Sequence, residues 1–258
     1  MIKRLIPCLD LFNGRIIKGV KFNNLIDIGD PVDIASYYND EGADELVILD
    51  ITASLENKTQ IFSYISKISS KISIPLTVGG GVKSLNDFKN LFNCGADKIS
   101  LNSSILENFN IIREVKYKYG KQCLVAALDV KKYYINNNFY YWNIYKKSGK
   151  INSNFNLFDI LLKFQNIGIG ELLLTSIDRD GTKSGYDLEL INKITSFLKV
   201  NIIVSGGGGG LSSLLNVFKI QNIDAILLAS VLHNKKYKIS FIKNFLFNNG
   251  IFLNFNYQ

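Results

Sequence analysis

The chain has 258 residues, with 30 lysines and arginines against 22 aspartates and glutamates, a formal net charge of +8 and a single histidine. One histidine and three widely spaced cysteines exclude a multi-histidine metal site and argue against a disulfide framework, so we expect no metal and no cofactor. No run approaches the ~20 apolar residues of a membrane helix, and the scattered lysines accompany no nucleic-acid-binding motif. We therefore expect a cytoplasmic protein that binds neither membrane nor nucleic acid.

Short runs rich in β-branched and apolar residues alternate along the chain with longer segments of helical period. This alternation indicates βα units that build a parallel sheet. Eight strands are predicted, at residues 4–9, 45–50, 74–78, 98–101, 123–128, 171–175, 201–205 and 225–228. Eight units in a chain close to the ~250 residues of a typical (β/α)8 TIM barrel predict one such α/β barrel, forming a single domain over residues 1–258.

The second half of the sequence repeats the first. Residues 41–46 align with residues 167–172 at an offset of 126, and the glycine runs that begin at Gly79 and Gly206 align at an offset of 127. In this register Asp10, which ends the first predicted strand, pairs with Asp129, which ends the fifth, at an offset of 119. We therefore expect two related half-barrels, with a longer loop after Asp129 in the second.

The longer loop covers residues 131–150 and has alternating aromatic residues around three consecutive asparagines. That pattern predicts a β-hairpin. Its four lysines at positions 131, 132, 146 and 147 leave two interpretations open. A solvated hairpin without a functional role is favoured, and a basic lid over an anionic ligand is the alternative.

The two glycine runs predict phosphate sites. Glycines after a strand let backbone N–H groups approach phosphate oxygens, although a single run is also common in ordinary turns. Here the run is duplicated, and each copy precedes a strand that ends in a residue pair with a serine second, Asn102-Ser103 or Ala229-Ser230. Two phosphate sites on opposite sides of the barrel mouth predict a substrate that carries a phosphate at each end.

Asp10 and Asp129 each close an apolar strand at the end of the barrel where active sites lie. A lone aspartate at such a position is often only a turn cap. Two aspartates related by the repeat, between two phosphate sites, favour a general acid and a general base. Apolar surroundings raise a carboxyl pKa and help one of the pair to retain a proton.

Four charged residues are predicted at the opposite end of the barrel, its floor. Two-residue alternation places them on the same face as the inward side chains of their strands. The four residues are Arg4, Glu45, Lys98 and Glu171. They form either a salt-bridged plug, a solvent-exposed set, or a passage into the barrel.

Over nearly its full length the chain resembles a known family, the cyclase subunits of imidazole glycerol phosphate synthase from histidine biosynthesis. The motifs that carry the resemblance are RLIPCLD at 4–10, GRIIKGV at 14–20, GADELVILDITAS at 42–54, VGGG at 78–81 and TSIDRDGTKSGYD at 175–187. The resemblance implies a heterodimer with a glutaminase subunit that supplies ammonia. The ammonia reacts with an open-chain bisphosphate, and the products are imidazole glycerol phosphate and an aminoimidazole carboxamide ribonucleotide.

The resemblance also assigns roles to residues. Asp10 and Asp129 are the acid and base pair, Lys18 lies in the loop after the first strand, and Asp97 faces the partner. The phosphate-binding positions are Gly81, Asn102 and Ser103 on one side and Asp180, Gly181, Gly206, Gly207 and Ser230 on the other. The floor residues that match the family's ammonia gate are Arg4, Glu45, Lys98 and Glu171.

The chain departs from the family pattern at two places. Residues 208–210 are all glycine where the family has one other residue, and residues 234–236 replace small and acidic ones. His233, just before the second departure, is expected at a helix start.

Two alternatives within the pathway are the sister isomerase and a catalytically weak subunit that activates the glutaminase. The GADELVILDITAS run and the floor charges favour the cyclase over the isomerase, and retention of Asp10, Lys18 and Asp129 argues against the weak subunit.

Overall fold

The computed structural model describes residues 2–20, 23–52, 58–136, 139–147 and 149–255. Eight parallel strands form the barrel: β1 (Arg4–Phe12), β4 (Leu46–Asp50), β5 (Leu76–Gly79), β6 (Lys98–Leu101), β7 (Leu124–Tyr134), β10 (Glu171–Ser176), β11 (Asn201–Ser205) and β12 (Ala225–Leu228). Each strand pairs with the next in this order, β12 pairs with β1, and β7 pairs directly with β10. The sheet is therefore closed, which confirms the predicted barrel.

Helices follow the strands on the outside of the barrel. They are α1 (Pro31–Asp40), α2 (Lys58–Ser69), α3 (Leu85–Asn93), α4 (Ser103–Glu107), α5 (Asn110–Tyr119), α6 (Leu157–Ile167), α7 (Leu188–Thr195), α8 (Leu211–Phe218), α9 (Ser230–His233) and α10 (Ile239–Asn248). A 3₁₀ turn at Lys121–Cys123 precedes β7. None of the described helices has the length and apolar character needed to cross a bilayer.

Two antiparallel arms extend from the barrel after its first and fifth strands. The first arm consists of β2 (Arg15–Val20) and β3 (Asn23–Gly29), and the second of β8 (Tyr140–Lys146) and β9 (Ile151–Asn156). The second arm contains the predicted hairpin, because β7 continues to Tyr134 and pairs with β8. The third strand β9 and the whole first arm were not predicted. Both arms follow the equivalent strand of their half-barrel, so the repeat extends beyond the barrel strands.

Side chains alternate between two apolar layers, as the two-residue period of a strand requires. Outward residues such as Leu5, Leu9 and Ile48 pack with the helices in the larger buried cluster. Inward residues, among them Ile6 and Cys8, form a smaller cluster inside the barrel. The predicted inward face of the first strand is therefore confirmed, and it directs Arg4 and Asp10 to opposite ends of the interior.

Three aspartates join neighbouring barrel strands at the floor. Asp44, Asp97 and Asp224 each accept a hydrogen bond of 2.8 Å from the backbone N–H near the start of the preceding strand, at Leu5, Leu76 and Ile202. Asp97, which the resemblance makes partner-facing, is exposed and also has this structural role.

Lys243 on α10 forms a buried ion pair beneath the barrel. Its Nζ lies 2.6 Å from Asp44 Oδ1 and 2.6 Å from the Asn254 carbonyl oxygen, and its exposed fraction is 3%. We expect Lys243→Met to lower the free energy of unfolding by about 3 kcal/mol, because the substitution leaves a buried carboxylate without its cation. Denaturant unfolding followed by circular dichroism measures the change.

Lys238→Met is the matched control for this prediction. Lys238 pairs with Glu41 at 3.5 Å, but its side chain is 71% exposed, so we expect a loss below about 1 kcal/mol. Equal losses in the two variants would contradict the prediction for Lys243.

Candidate active site

Asp10 and Asp129 lie at the barrel mouth, on β1 and β7. Burial raises the pKa of Asp10 to about 7, and the nearby charge of Asp180 adds to the effect. Burial also raises the pKa of Asp129 to about 6, opposed by a hydrogen bond from Asn102 and assisted by Asp180. The charge of Asp180 therefore acts on both strand aspartates, and the pKa values of both lie near neutral pH.

The first glycine loop, residues 79–81, ends β5, which is separated by β6 from the strand that carries Asp129. Gly80 has a φ of +102°, and a Cβ there would lie 2.1 Å from the Asp50 carbonyl oxygen, so the turn requires glycine. On the next strand, Asn102 Nδ2 donates to Asp129 Oδ2 at 3.1 Å, and Ser103 Oγ donates to Asn102 Oδ1 at 3.2 Å. Asn102 therefore contacts Asp129, and Ser103 contacts Asn102. Gly81 ends the loop that follows β5.

The second glycine loop, residues 206–210, packs against the segment that carries Asp180. A Cβ on Gly206 would lie 2.7 Å from the Ser176 carbonyl oxygen, and one on Gly207 would lie 2.3 Å from the Gly185 carbonyl oxygen. The Asp180 N–H donates to the Ser176 carbonyl oxygen at 2.9 Å and so closes a turn directly after β10. Burial raises the pKa of Asp180, while its hydrogen bond with the Gly181 backbone lowers it. Ser230 begins α9 after the neighbouring strand β12.

The extra glycines of the second loop differ in the space around them. A Cβ on Gly209 would lie 1.9 Å from the Lys183 carbonyl oxygen, whereas one on Gly210 meets nothing within 4 Å. Gly210 has extended backbone and is the N-cap of α8. We expect Gly209→Ser to lower the free energy of unfolding by about 1–3 kcal/mol through a backbone clash. Gly210→Ser should raise it by about 0.5–1 kcal/mol through a better cap and a less flexible unfolded chain.

Thermal unfolding of both serine variants beside the wild type measures this difference. The same chemical change at adjacent positions makes each variant the control for the other. A destabilised Gly210→Ser variant would contradict the prediction.

Lys18 lies on β2, in the first arm. Its Nζ donates to Asn234 Oδ1, in the stretch that departs from the family pattern. Burial lowers the pKa of Lys18, and the positive charge of Lys183 lowers it further. Lys18 was predicted in a loop, but it lies in a strand. Its side chain contacts the segment that follows α9.

The hairpin of β7 and β8 contacts the rest of the barrel at two places. Lys132 Nζ lies 2.5 Å from Glu189 Oε2 on α7 and 3.7 Å from the centre of the Tyr140 ring. At the other end of the hairpin, the Lys147 N–H donates to Ser103 Oγ at 2.9 Å. The hairpin therefore contacts the barrel at a predicted phosphate-binding residue. Two of its four lysines form ion pairs, Lys132 with Glu189 and Lys146 with Glu107 at 3.7 Å.

His233 is a residue whose role the sequence did not indicate. The expected helix-start position is wrong, because His233 is the last residue of α9. Its ring contacts the Cys8 carbonyl oxygen and the Tyr38 hydroxyl, which are 225 and 195 residues away in sequence. The available signal was that the only histidine follows a predicted phosphate-binding serine by three residues.

The four predicted floor residues form a closed ring of ion pairs. Arg4 lies 2.6 Å from Glu45 and 2.6 Å from Glu171, and Lys98 lies 2.9 Å from Glu45 and 2.8 Å from Glu171. Thr77 Oγ1 donates to Glu45 at 2.6 Å. Burial opposes ionisation of Glu171, but the two cations outweigh it and lower its pKa. The ring is therefore charge-balanced. Because the side chains of Glu45 and Glu171 are only 1% and 7% exposed, the solvent-exposed interpretation is wrong.

The raised pKa of Asp10 predicts a stability change. At pH 8 the folded protein must hold Asp10 charged although its folded-state pKa is about 7 against an ordinary 3.8. We expect Asp10→Asn to raise the free energy of unfolding at pH 8 by a few kcal/mol, since each pKa unit corresponds to about 1.4 kcal/mol. The gain should shrink as pH falls from about 7 to about 4, where both states of the wild type hold the proton.

Urea unfolding at several pH values measures this change. Asp33→Asn, at an exposed position in the first turn of α1, is the control and should show no comparable gain. An Asp10→Asn variant no more stable than the wild type at pH 8 would contradict the shift.

The chain is similar to known proteins over nearly its whole length. Residues 4–238 match the family model described as histidine biosynthesis protein. Imidazole glycerol phosphate synthase subunit HisF of Clostridium botulinum (strain Okra / Type B1) is 45% identical over 248 residues, which cover 96% of this chain and 97% of the relative. The subunits of the same name from Methanocaldococcus jannaschii and Prochlorococcus marinus (strain AS9601) are 42% and 45% identical, with 97% and 94% of this chain and 98% and 94% of the relatives covered.

Proposed function

The chain belongs to the family of histidine biosynthesis proteins, and we propose that it acts as the cyclase subunit of an imidazole glycerol phosphate synthase. Its substrates are ammonia and the open-chain bisphosphate of an aminoimidazole carboxamide ribonucleotide that bears a phosphoribulosyl group. Its products are imidazole glycerol phosphate and the aminoimidazole carboxamide ribonucleotide. The observation that carries this proposal is the pair of buried carboxyl groups, Asp10 and Asp129, between two duplicated glycine loops at one barrel mouth.

The two aspartates supply the proton transfers of the reaction. Ammonia must lose protons as its nitrogen bonds to carbon, and a carbonyl oxygen must gain protons before it leaves as water. Asp129, with a pKa of about 6, is more often ionised at neutral pH and acts as the base. Asp10, with a pKa of about 7, more often holds a proton and acts as the acid.

The two ends of the substrate bind on opposite sides of the mouth. Gly81, Asn102 and Ser103 hold one phosphate. Most of the binding comes from backbone N–H groups in the loop and at the N-terminus of the helix that follows a strand. The second phosphate is held by the residues Asp180, Gly181, Gly206, Gly207 and Ser230. Lys18 contributes a positive charge from the first arm. Binding at both ends places the reacting centre near Asp10 and Asp129.

A glutaminase subunit docks at the floor and supplies ammonia. The relatives are named as subunits, which supports a partner protein. The ring of Arg4, Glu45, Lys98 and Glu171 is the entrance, and the apolar interior that includes Ile6 and Cys8 leads from it to the aspartates. Asp97 faces the partner. A dry interior keeps ammonia from protonation on the way. Residues 1–258 form one domain of this complex, which works in the cytoplasm.

The test supplies the purified chain with ammonium and the bisphosphate and follows the loss of substrate absorbance. We expect ammonia-dependent cyclisation without the partner subunit. Formation of the bisphosphate from its ring-closed precursor would instead identify the isomerase. Stimulation of a glutaminase without any cyclisation would identify a catalytically weak subunit.

A further inference from the structure

His233 connects three elements through its two ring nitrogens. Nε2 lies 3.0 Å from the Cys8 carbonyl oxygen on β1, and Nδ1 lies 2.7 Å from the Tyr38 hydroxyl on α1. A carbonyl oxygen only accepts, so Nε2 carries the ring proton and donates it. In the neutral ring Nδ1 then accepts from the Tyr38 hydroxyl. The two contacts therefore specify one tautomer.

The surroundings keep this ring neutral. Burial lowers the pKa of His233 to about 4, the hydrogen bond to Cys8 opposes the change, and the positive charge of Lys18 adds to it. The other titratable group in contact with the ring is the Tyr38 hydroxyl, and burial raises its pKa. His233 therefore carries no charge near neutral pH and does not transfer protons there.

The ends of the bridge lie close in sequence to the proposed site. Cys8 precedes Asp10 by two residues on the same strand, and Ser230 begins the single-turn helix that His233 ends. The next residue, Asn234, accepts a hydrogen bond from Lys18. Residues 230–234 therefore contact both β1, which carries Asp10, and the first arm, which carries Lys18. The same segment begins with the predicted phosphate-binding residue Ser230.

We propose that His233 is a positioning residue that fixes the catalytic strand β1 relative to the second phosphate site through its neutral Nε2–H tautomer. This role rests on the proposed function, because it assumes that Asp10 and Ser230 act on one substrate. A shift of about 1 Å between a bound substrate and a catalytic group lowers turnover by up to ~100-fold. A bridge that sets this distance therefore affects kcat as well as KM.

Substitutions of His233 and Tyr38 distinguish the contributions of the two hydrogen bonds. His233→Leu removes both, whereas in His233→Gln the amide nitrogen replaces Nε2–H and keeps the bond to Cys8. We expect His233→Leu to lower kcat with saturating ammonium at least about 10-fold and to raise the KM for the bisphosphate, and His233→Gln to recover most of kcat. Tyr38→Phe removes only the bond to Nδ1 and should resemble His233→Gln. Tyr37→Phe, at the exposed neighbouring tyrosine, is the matched control.

Nitrogen NMR of the wild type tests the bridge without any activity. Because the chain has one histidine, the imidazole signals need no assignment. We expect the Nε2–H pattern, unchanged between pH 6 and pH 8. Titration with a midpoint near 6.5, or the Nδ1–H pattern, would overturn the bridge even if the enzyme is a cyclase.

Kinetics decide the positioning role. Unchanged kcat and KM in a folded His233→Leu variant would overturn it. If that variant does not fold, a loss of kcat of about 10-fold or more in both His233→Gln and Tyr38→Phe, which keep the bond to Cys8, would do so. Failure of the wild type to cyclise the bisphosphate would instead refute the proposed function, while the NMR result would still stand.

Discussion

Replacing either Asp10 or Asp129 by asparagine is expected to lower ammonia-dependent cyclisation by at least ~100-fold. Asparagine has nearly the same shape as aspartate but neither donates an acidic proton nor accepts one at neutral pH. The loss should appear in kcat, because binding of the two phosphates depends on other residues. Steady-state rates with saturating ammonium and the bisphosphate measure it.

The pH dependence of the same reaction sharpens this prediction. If Asp129 acts ionised and Asp10 acts protonated, kcat/KM should rise with pH through about 6 and fall through about 7. The two groups interact through Asp180, so the limbs belong to the cluster and not to single residues. We therefore expect both Asp10→Asn and Asp129→Asn to shift the limbs of the pH profile of the residual activity.

The control for the activity loss is Asp33→Asn, an identical chemical change at an exposed helix position outside the site. It should leave kcat and KM unchanged. Wild-type turnover in both Asp10→Asn and Asp129→Asn would contradict the proposal that these two residues carry out the proton transfers. A loss in only one of them would restrict the proton transfers to that residue.

The features that the sequence predicted well are those that a fixed period determines. Strand alternation decides which face Arg4 and Asp10 occupy, and the internal repeat pairs Asp10 with Asp129 independently of any contact between them. The floor ring followed from the same alternation, applied to four strands whose first residues are charged. The geometry of its four ion pairs agrees with that expectation.

The features that the sequence did not predict depend on contacts between distant segments. The bridge of His233 to Cys8 spans 225 residues, and the pair of Lys243 with Asp44 spans 199. No local period encodes either contact. The first arm was missed for another reason, since Arg15–Val20 is a short run after the turn at Asn13 and Gly14. It pairs with the part of β1 that extends beyond the barrel.

Breaking the floor ring is expected to lower turnover with ammonia from glutamine more than turnover with free ammonium. Arg4→Ala leaves Glu45 and Glu171, which are 1% and 7% exposed, with Lys98 as their only cation of the ring. Breaking such buried pairs costs about 3–5 kcal/mol, so the ring should rearrange or admit water.

If ammonia enters through the ring, the complex of Arg4→Ala or Glu45→Ala with the glutaminase should lose glutamine-dependent turnover at least about 10-fold. Turnover with free ammonium, which also reaches the mouth from solvent, should change less. Arg15→Ala is the matched control, because Arg15 pairs with Asp27 at 2.9 Å where both side chains are half-exposed. It should leave the ratio of the two activities unchanged, whereas equal losses with glutamine and ammonium in the ring variants would show that the ring only stabilises the barrel.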